Sequence, residues 1–390
     1  MSEGKAFLEK VHIKNFLSLR NVTLPFKPLT VLVGPNASGK SNTFTALQLL
    51  NRIIVSESLP SDGPFLDSLW VGAAQKISFH LQTKVKESQN LYYLEINAQP
   101  DFFYLVEQLS VNDVNVISIQ DGEGVVRDEN GENEITYNSN KLALGSAGNY
   151  GHKPITRALT EFIKEWQFYD FDVYIIRQEC FRTFSPATPE IREFPKLSKF
   201  GLNLVEVLWN WYKDSPDNFQ SVSDSLAAST NRKIDYCLID GRYHLFLFEG
   251  EKNPIPFEGA SDGILRLVAY NILLNEPELP PLIAIEEPER NLHPGALKDI
   301  ANVLEQLAER TQVIITTHSS QLLDVFNPNN LSDSLGVLLL RNRSGLGTEV
   351  LNLEEIKDKR EALDGWIADF GIGSAIFDSE LLQDLMEEPI

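Results

Sequence analysis

Apolar and polar positions along the chain fall into alternating, continuous and helical stretches. Residues 7–16 (Phe-Leu-Glu-Lys-Val-His-Ile-Lys-Asn-Phe) and 22–26 (Val-Thr-Leu-Pro-Phe) alternate, which predicts two strands joined by a turn over residues 18–21. Residues 30–33 are apolar and β-branched enough for a strand buried on both faces, and after a glycine break residues 41–50 carry helical spacing. Beyond a Pro/Gly/Ser break at 58–64, period-two alternation returns in 76–85 and 91–96. Further strand-like runs follow at 104–109, 114–119, 124–127 and 134–137, with Asp/Asn/Gly turns between them. Residues 138–151 read as a loop, residues 154–166 and 202–211 as helices, and residues 183–195 as a Pro-broken segment between the helices. A hairpin is predicted through Asp240-Gly241. The chain then alternates: helix from Gly263, strand 282–285, helix 295–308, strand 313–316, helix 320–325, two strands near 336–341 and 349–353, and an acidic helical tail. No sustained heptads and no fixed-period repeat are present, so no long coiled-coil arm is expected.

Size and charge narrow the classes of partner. At 390 residues with 43% hydrophobic content, the chain has the length of two or three structural units of roughly 150 residues. A formal charge of -21 argues against coating nucleic acid through overall charge, so any such contact must be local. Cys180 and Cys237 are far apart and lack metal-ligand spacing, which suits a reducing compartment. No apolar run approaches the roughly 20 residues that span a bilayer, and residues 1–5 lack a signal peptide's apolar core; a soluble, cytoplasmic protein without a membrane partner is the expectation.

The glycine break carries the strongest chemistry. Gly34, four residues, Gly39, Lys40 and Ser41 match G-x-x-x-x-G-K-[ST], with a strand before and a helix after, as a phosphate-binding loop requires. Glycine lets backbone N–H groups turn toward phosphate oxygens, Lys40 adds a point charge, and the Ser41 hydroxyl suits Mg²⁺. Two further apolar strands end on chemistry. Pro280-Pro-Leu-Ile-Ala-Ile-Glu286-Glu287 ends on paired carboxylates, which buried together need a cation or a proton. Thr311-Gln-Val-Ile-Ile-Thr-Thr-His318 ends on an imidazole. Ligands of open α/β sheets gather at the carboxyl ends of parallel strands. A nucleotide with Mg²⁺ is therefore the expected occupant: Ser41 and Glu286 on the metal, Glu287 polarising the attacking water, His318 at the γ-phosphate. Ser261-Asp262-Gly263 opens a helix and forms a second anion site, which a second subunit's nucleotide would explain.

These motifs together resemble the ATP-binding cassette ATPases, in particular the SMC/RecF-like branch with its stand-alone overcoming-lysogeny and abortive-infection-associated relatives. Residues 11–22 are similar to that branch's opening strand pair, and residues 34–42, with Asn36 and Asn42 beside the glycines, to its Walker A motif. Ser261-Asp262-Gly263 stands where the family has its signature, in a Ser-Asp-Gly-Ile form rather than Ser-Gly-Gly. Residues 283–287 resemble Walker B, 288–294 the D-loop, and Thr317-His318-Ser319 the switch-histidine segment. Gln178, read as the end of an apolar strand over 173–178, is the candidate for the family's Q-loop, a ligand of nucleotide and metal.

The resemblance implies a P-loop ABC-type α/β fold with a mixed central sheet, an inserted antiparallel β lobe and a helical subdomain. Five segments are expected: 1–57 and 235–353 for the ATPase lobe, 58–151 for the β lobe, 152–234 for the helical subdomain and 354–390 for the tail. It further implies Mg²⁺-dependent ATP hydrolysis in a head-to-tail homodimer or higher homo-oligomer, serving DNA repair or anti-phage defence. A regulatory subunit that holds a toxin or nuclease effector encoded nearby is the alternative, and a transporter's nucleotide-binding subunit a third. No Toprim nuclease is expected after Leu353. Contact with nucleic acid or with a partner has one candidate, the run of Arg182, Arg192, Lys196 and Lys199 with Phe181 and Phe194 interleaved.

Overall fold

The computed structural model describes residues 6–57, 68–70, 76–99, 102–139, 141–147, 151–186, 195–250, 253–331, 333–358 and 360–378. The break expected at 58–64, the residues Arg192 and Phe194 and the end of the acidic tail lie outside them.

A six-stranded mixed sheet carries the site. Its strands are β3 (Leu29–Val33), β10 (Gln167–Tyr169), β14 (Leu282–Glu286), β15 (Gln312–Thr317), β16 (Leu335–Arg343) and β17 (Gly347–Asn352), in the order β10-β14-β15-β3-β16-β17. Strands β10, β14, β15, β3 and β16 run parallel, and β17 returns antiparallel. β3 and β15 are buried at every position, which is why they read as unbroken apolar runs. The parallel register aligns the carboxyl ends of β3, β15 and β14, so the loops that follow them open on one edge.

The second layer is an eight-stranded antiparallel sheet. Its members are β1 (Phe7–Phe16), β2 (Leu19–Pro25), β4 (Lys76–Val85), β5 (Ser88–Gln99), β6 (Phe102–Val111), β7 (Val114–Gln120), β8 (Glu123–Arg127) and β9 (Glu134–Asn138), in the order β2-β1-β4-β5-β6-β7-β8-β9. The antiparallel β lobe is thus built directly onto the opening strand pair. Between the layers lies α1 (Lys40–Ser56), packed with α2 (Ala143–Ala147) and α3 (Pro154–Lys164). A core containing Val11, Phe44, Leu47, Phe79, Tyr92 and Leu282 joins them. Helix α2 replaces part of the loop expected over 138–151. Buried Glu107 accepts from the N–H groups of Ala143 (2.6 Å) and Leu144 (2.9 Å), the first-turn donors that sequence spacing does not reveal.

The other face of the central sheet is covered by α4 (Val173–Glu179), α5 (Leu204–Asp214), α6 (Pro216–Thr230), α7 (Asp262–Asn275), α8 (Leu297–Arg310) and α9 (Ser320–Val325). A small sheet of β11 (Lys233–Ile239), β12 (Arg242–Phe248) and β13 (Ile255–Pro256) joins this layer. Its hairpin turns at Asp240 and Gly241, with φ of 50° and 76°, the left-handed pair expected of an Asp-Gly turn. The tail contributes α10 (Leu353–Lys357), α11 (Glu361–Phe370) and α12 (Ile372–Phe377), the last packed on α9. Among the described residues, no helix is long and apolar enough to cross a membrane.

Candidate nucleotide site

The loop between β3 and α1 is shaped by contacts that only glycine permits. A Cβ on Gly34 would stand 2.1 Å from the Leu340 carbonyl oxygen. Gly39 has φ +107°, and its Cβ would meet Thr348 Oγ1 at 2.2 Å. Lys40 is buried, and its Nζ donates to the carbonyls of Gly34 (2.7 Å) and Pro35 (3.0 Å). Burial lowers its pKa, against the pull of Glu287 and Glu289. Asn36 is exposed on the loop. Asn42 donates to Ser18 Oγ at 2.7 Å, Ser18 Oγ lies 2.7 Å from Thr348 Oγ1, and that hydroxyl donates to the Ser38 carbonyl at 3.1 Å. The side-chain amide of Asn42 is therefore spent on bracing the loop against β17 and the β1–β2 turn.

The three strand ends meet. Ser41 Oγ donates to Glu286 Oε2 at 3.5 Å. Burial raises the Glu286 pKa, and the carboxylates of Asp170 and Glu287 raise it further. Glu287 Oε1 lies 3.3 Å from His318 Nδ1. Glu289 is buried and accepts from Thr317 Oγ1 at 2.6 Å, and Thr317 Oγ1 also accepts from the Ser319 N–H at 2.9 Å. The 286–289 turn and the His318 segment thus brace each other. Burial raises the pKa of Glu289 as well.

Gln178 requires a correction. Residues 173–178 form the helix α4 rather than a strand: Asp172 caps it, accepting from Tyr174 N (2.8 Å) and Ile175 N (3.2 Å), and Val173, Ile176 and Cys180 are buried at helical spacing. Gln178 is exposed on that helix. The strand beside β14 is β10, which pairs Tyr169 with Ile285, so the next residue, Asp170, stands beside Glu286. Asp170 also pairs with Arg290 of the 288–294 turn. Asp170 and Arg290 are missed by sequence reasoning, and the only signal for Asp170 is the short Phe168-Tyr169 run before it.

Ser261 and Gly263 sit at the start of α7, which packs on α4, α6 and α8. Ser261 is exposed and makes no side-chain cap bond, and a Cβ added to Gly263 would meet Leu292 Cδ2 of the 288–294 turn at 3.5 Å, an ordinary contact. Arg177 holds this start, donating to the Glu258 carbonyl and to Asp262 Oδ1 (2.8 Å). Among the described residues, no hydrogen bond or ion pair joins Ser261 or Gly263 to the Gly34–Asn42 loop of the same chain. Of the basic run, Arg182 is paired with Glu206 (2.9 Å) and lies over the Phe184 ring, and Lys199 lies over the Phe200 ring. Lys196 is exposed and acts electrostatically on Glu276, and Phe181 is exposed.

The donor set fits a hard divalent cation: a hydroxyl and a carboxylate within 3.5 Å beside a phosphate loop. Among the described residues no group of three or more His, Cys, Asp or Glu could hold a metal by itself, so a Mg²⁺ ion here would take its other ligands from substrate phosphates and water.

A parallel sheet with a glycine loop, a carboxylate pair and an imidazole at one edge defines a P-loop ATPase. Residues 7–187 match the family described as "AAA ATPase domain", and residues 177–324 the one described as "AAA domain, putative AbiEii toxin, Type IV TA system". The chain is accordingly an ATPase that is similar, over those two segments, to AAA ATPase domains, the AbiEii-type one among them. No curated protein matches the sequence. The fold is shared with an SMC head bound to the C-winged helix domain of ScpA (14% identity, TM-score 0.51, 90% of this chain and 99% of that one). Lower TM-scores relate it to the SMC head domain from Thermotoga maritima (12% identity, 0.44, 89% and 98%). A Pyrococcus furiosus Smc head bound to the C-terminal domain of ScpA is similar in the same range (12% identity, 0.47, 92% and 99%).

Proposed function

We propose that this ATPase is a nucleotide-gated switch, in which two copies pair head to tail around two ATP molecules. The observation that carries the reading is that the loop ending in Lys40 has Glu286, Glu287 and His318 beside it, while Ser261 is exposed and, among the described residues, bonded to none of them. A second copy would bring its own Ser261 helix start to the first copy's phosphates.

The residues divide the work by chemistry. Asn36 and the loop around Gly34 and Gly39 receive the phosphates, Lys40 neutralises them, and Ser41 and Glu286 would hold Mg²⁺. When bound, the cation would offset charge on the transferring phosphoryl group. Glu287 orients the attacking water and takes its proton at Oε1, and His318, 3.3 Å away, steadies that carboxylate and faces the γ-phosphate. Tight ATP binding by the paired state and weak binding after hydrolysis would drive the cycle. The test is Mg²⁺-dependent phosphate release by the parent and by Glu287→Gln: a loss of at least about a hundredfold is expected, and parent-like hydrolysis would refute the assignment.

The process served by the switch is DNA repair or anti-phage defence in our first reading. The family description naming a putative AbiEii toxin favours a second, in which the ATPase holds a toxin or nuclease effector. Material retained on the Glu287→Gln protein separates them: nucleic acid supports the first, a stoichiometric protein the second. A transporter role would instead require co-fractionation with membranes. In each case ATP and Mg²⁺ act in the cytoplasm.

A further inference from the structure

Glu287 sits in a backbone conformation that side-chain-bearing residues avoid, with φ +41°. Two groups hold it there. Its N–H donates to the Thr316 carbonyl (3.1 Å) and to Thr316 Oγ1 (3.2 Å). Its own carbonyl accepts from Arg266 Nη1 at 3.1 Å. The same guanidinium reaches the Pro288 carbonyl at 3.5 Å and, through Nη2, the Phe171 carbonyl at 2.5 Å, one residue beyond Asp170.

Arg266 is 1% exposed, and among the described residues its hydrogen-bond partners are main-chain carbonyls, with Nε unpartnered. Placing a cation there is costly, and a leucine would pack at lower cost. What the cation does that leucine cannot is fix three carbonyls at once, on the turn after β14 and on the turn after β10. Arg266 also lies on α7, whose start at Ser261 is the second anion site. A single rigid helix therefore links that start to the backbone of the water-orienting carboxylate.

We propose that Arg266 is a positioning residue for hydrolysis: it clamps Glu287 in its left-handed conformation and couples the Ser261 helix start to the carboxylate of the same subunit. The inference rests on the role assigned to Glu287 above. With the clamp released, the backbone relaxes toward negative φ and the carboxylate moves off His318, while the loop that binds ATP is untouched. A displacement of this kind lowers the chemical step by roughly 10- to 100-fold.

The experiment compares Arg266→Met, Arg266→Lys, Glu287→Gln and the double variant Arg266→Lys/Glu287→Gln in the full chain, with melting curves, titration of a fluorescent ATP analogue and steady-state hydrolysis. Expected are a kcat at least about tenfold lower in Arg266→Met with analogue affinity within about threefold of the parent, and partial rescue in Arg266→Lys, which restores a single cationic nitrogen without the planar fork. The double variant should hydrolyse ATP no more slowly than Glu287→Gln alone, because both changes act through one carboxylate. Multiplicative losses, or a lowered melting temperature with unchanged kcat in Arg266→Lys, would overturn the proposal. Should Arg266→Met fail to fold, the lysine pair still decides. If Glu287→Gln itself hydrolyses like the parent, it is the assignment of Glu287 that fails, which is a separate outcome.

Discussion

Replacing Gly39 by alanine tests why the loop has its shape, and its cost can be worked from the contacts. At φ +107° an alanine is strained by about 1–2 kcal/mol. Its Cβ would lie 2.2 Å from Thr348 Oγ1 and 2.9 Å from Thr348 Cγ2, so Thr348 must move. That movement breaks the hydroxyl's contacts with Ser18 Oγ (2.7 Å) and the Ser38 carbonyl (3.1 Å), two bonds worth about 1 kcal/mol each. Gly39→Ala should therefore lose about 3–4 kcal/mol in urea denaturation and bind ATP at least about tenfold more weakly. Thr348→Ala alone loses the two hydroxyl bonds, about 2 kcal/mol, but it also removes both colliding atoms. The double variant should be more stable than the two single losses predict, by about 1 kcal/mol or more. Strictly additive losses, or a Gly39→Ala protein with parental ATP affinity, would refute this account of the loop.

Two other changes probe charge. Lys40→Met should weaken ATP binding by about 10- to 100-fold, the worth of a charge-assisted bond, without lowering the melting temperature, since a buried cation is removed; calorimetric titration and a melting curve check both halves. Glu107 is raised to about 7 by burial, against the opposing bonds from Leu144, Ala143 and Tyr92. Its folded value exceeds its unfolded one, so the folded state holds the proton more tightly, and the stability it contributes is lost as pH rises through 7. Between pH 6 and 8 the parent should lose about 1 kcal/mol that Glu107→Gln does not, as read from urea midpoints.

Much of this arrangement was legible in the chain because its strongest signals are local. The strand, glycine loop and helix around Gly34–Ser41 follow a fixed spacing, and Glu286, Glu287 and His318 each end a strand buried on both sides. The 173–178 run reads as a strand because β10 has only three residues, too few for a period, while the apolar run after it fits either period until the cap at Asp172 is seen. Helix α6 leaves little signal in the sequence because its buried stripe of Phe219, Val222, Ser223 and Leu226 is thinly apolar among Ser and Asp. Arg266, Arg290 and Asp170 were invisible for a different reason. Arg266 meets Phe171 95 positions away through a main-chain carbonyl, and Arg290 meets Asp170 across 120 positions, so no residue pattern near either one points to its partner.

The claim on which the account turns is that ATP joins two copies of this chain. Light scattering on Glu287→Gln, with and without saturating MgATP, measures it most directly. The account predicts a mass near twice 44.0 kDa with ATP and near 44.0 kDa without it. A mass that ATP does not change, in a protein that a parallel titration shows to be saturated with nucleotide, would contradict it.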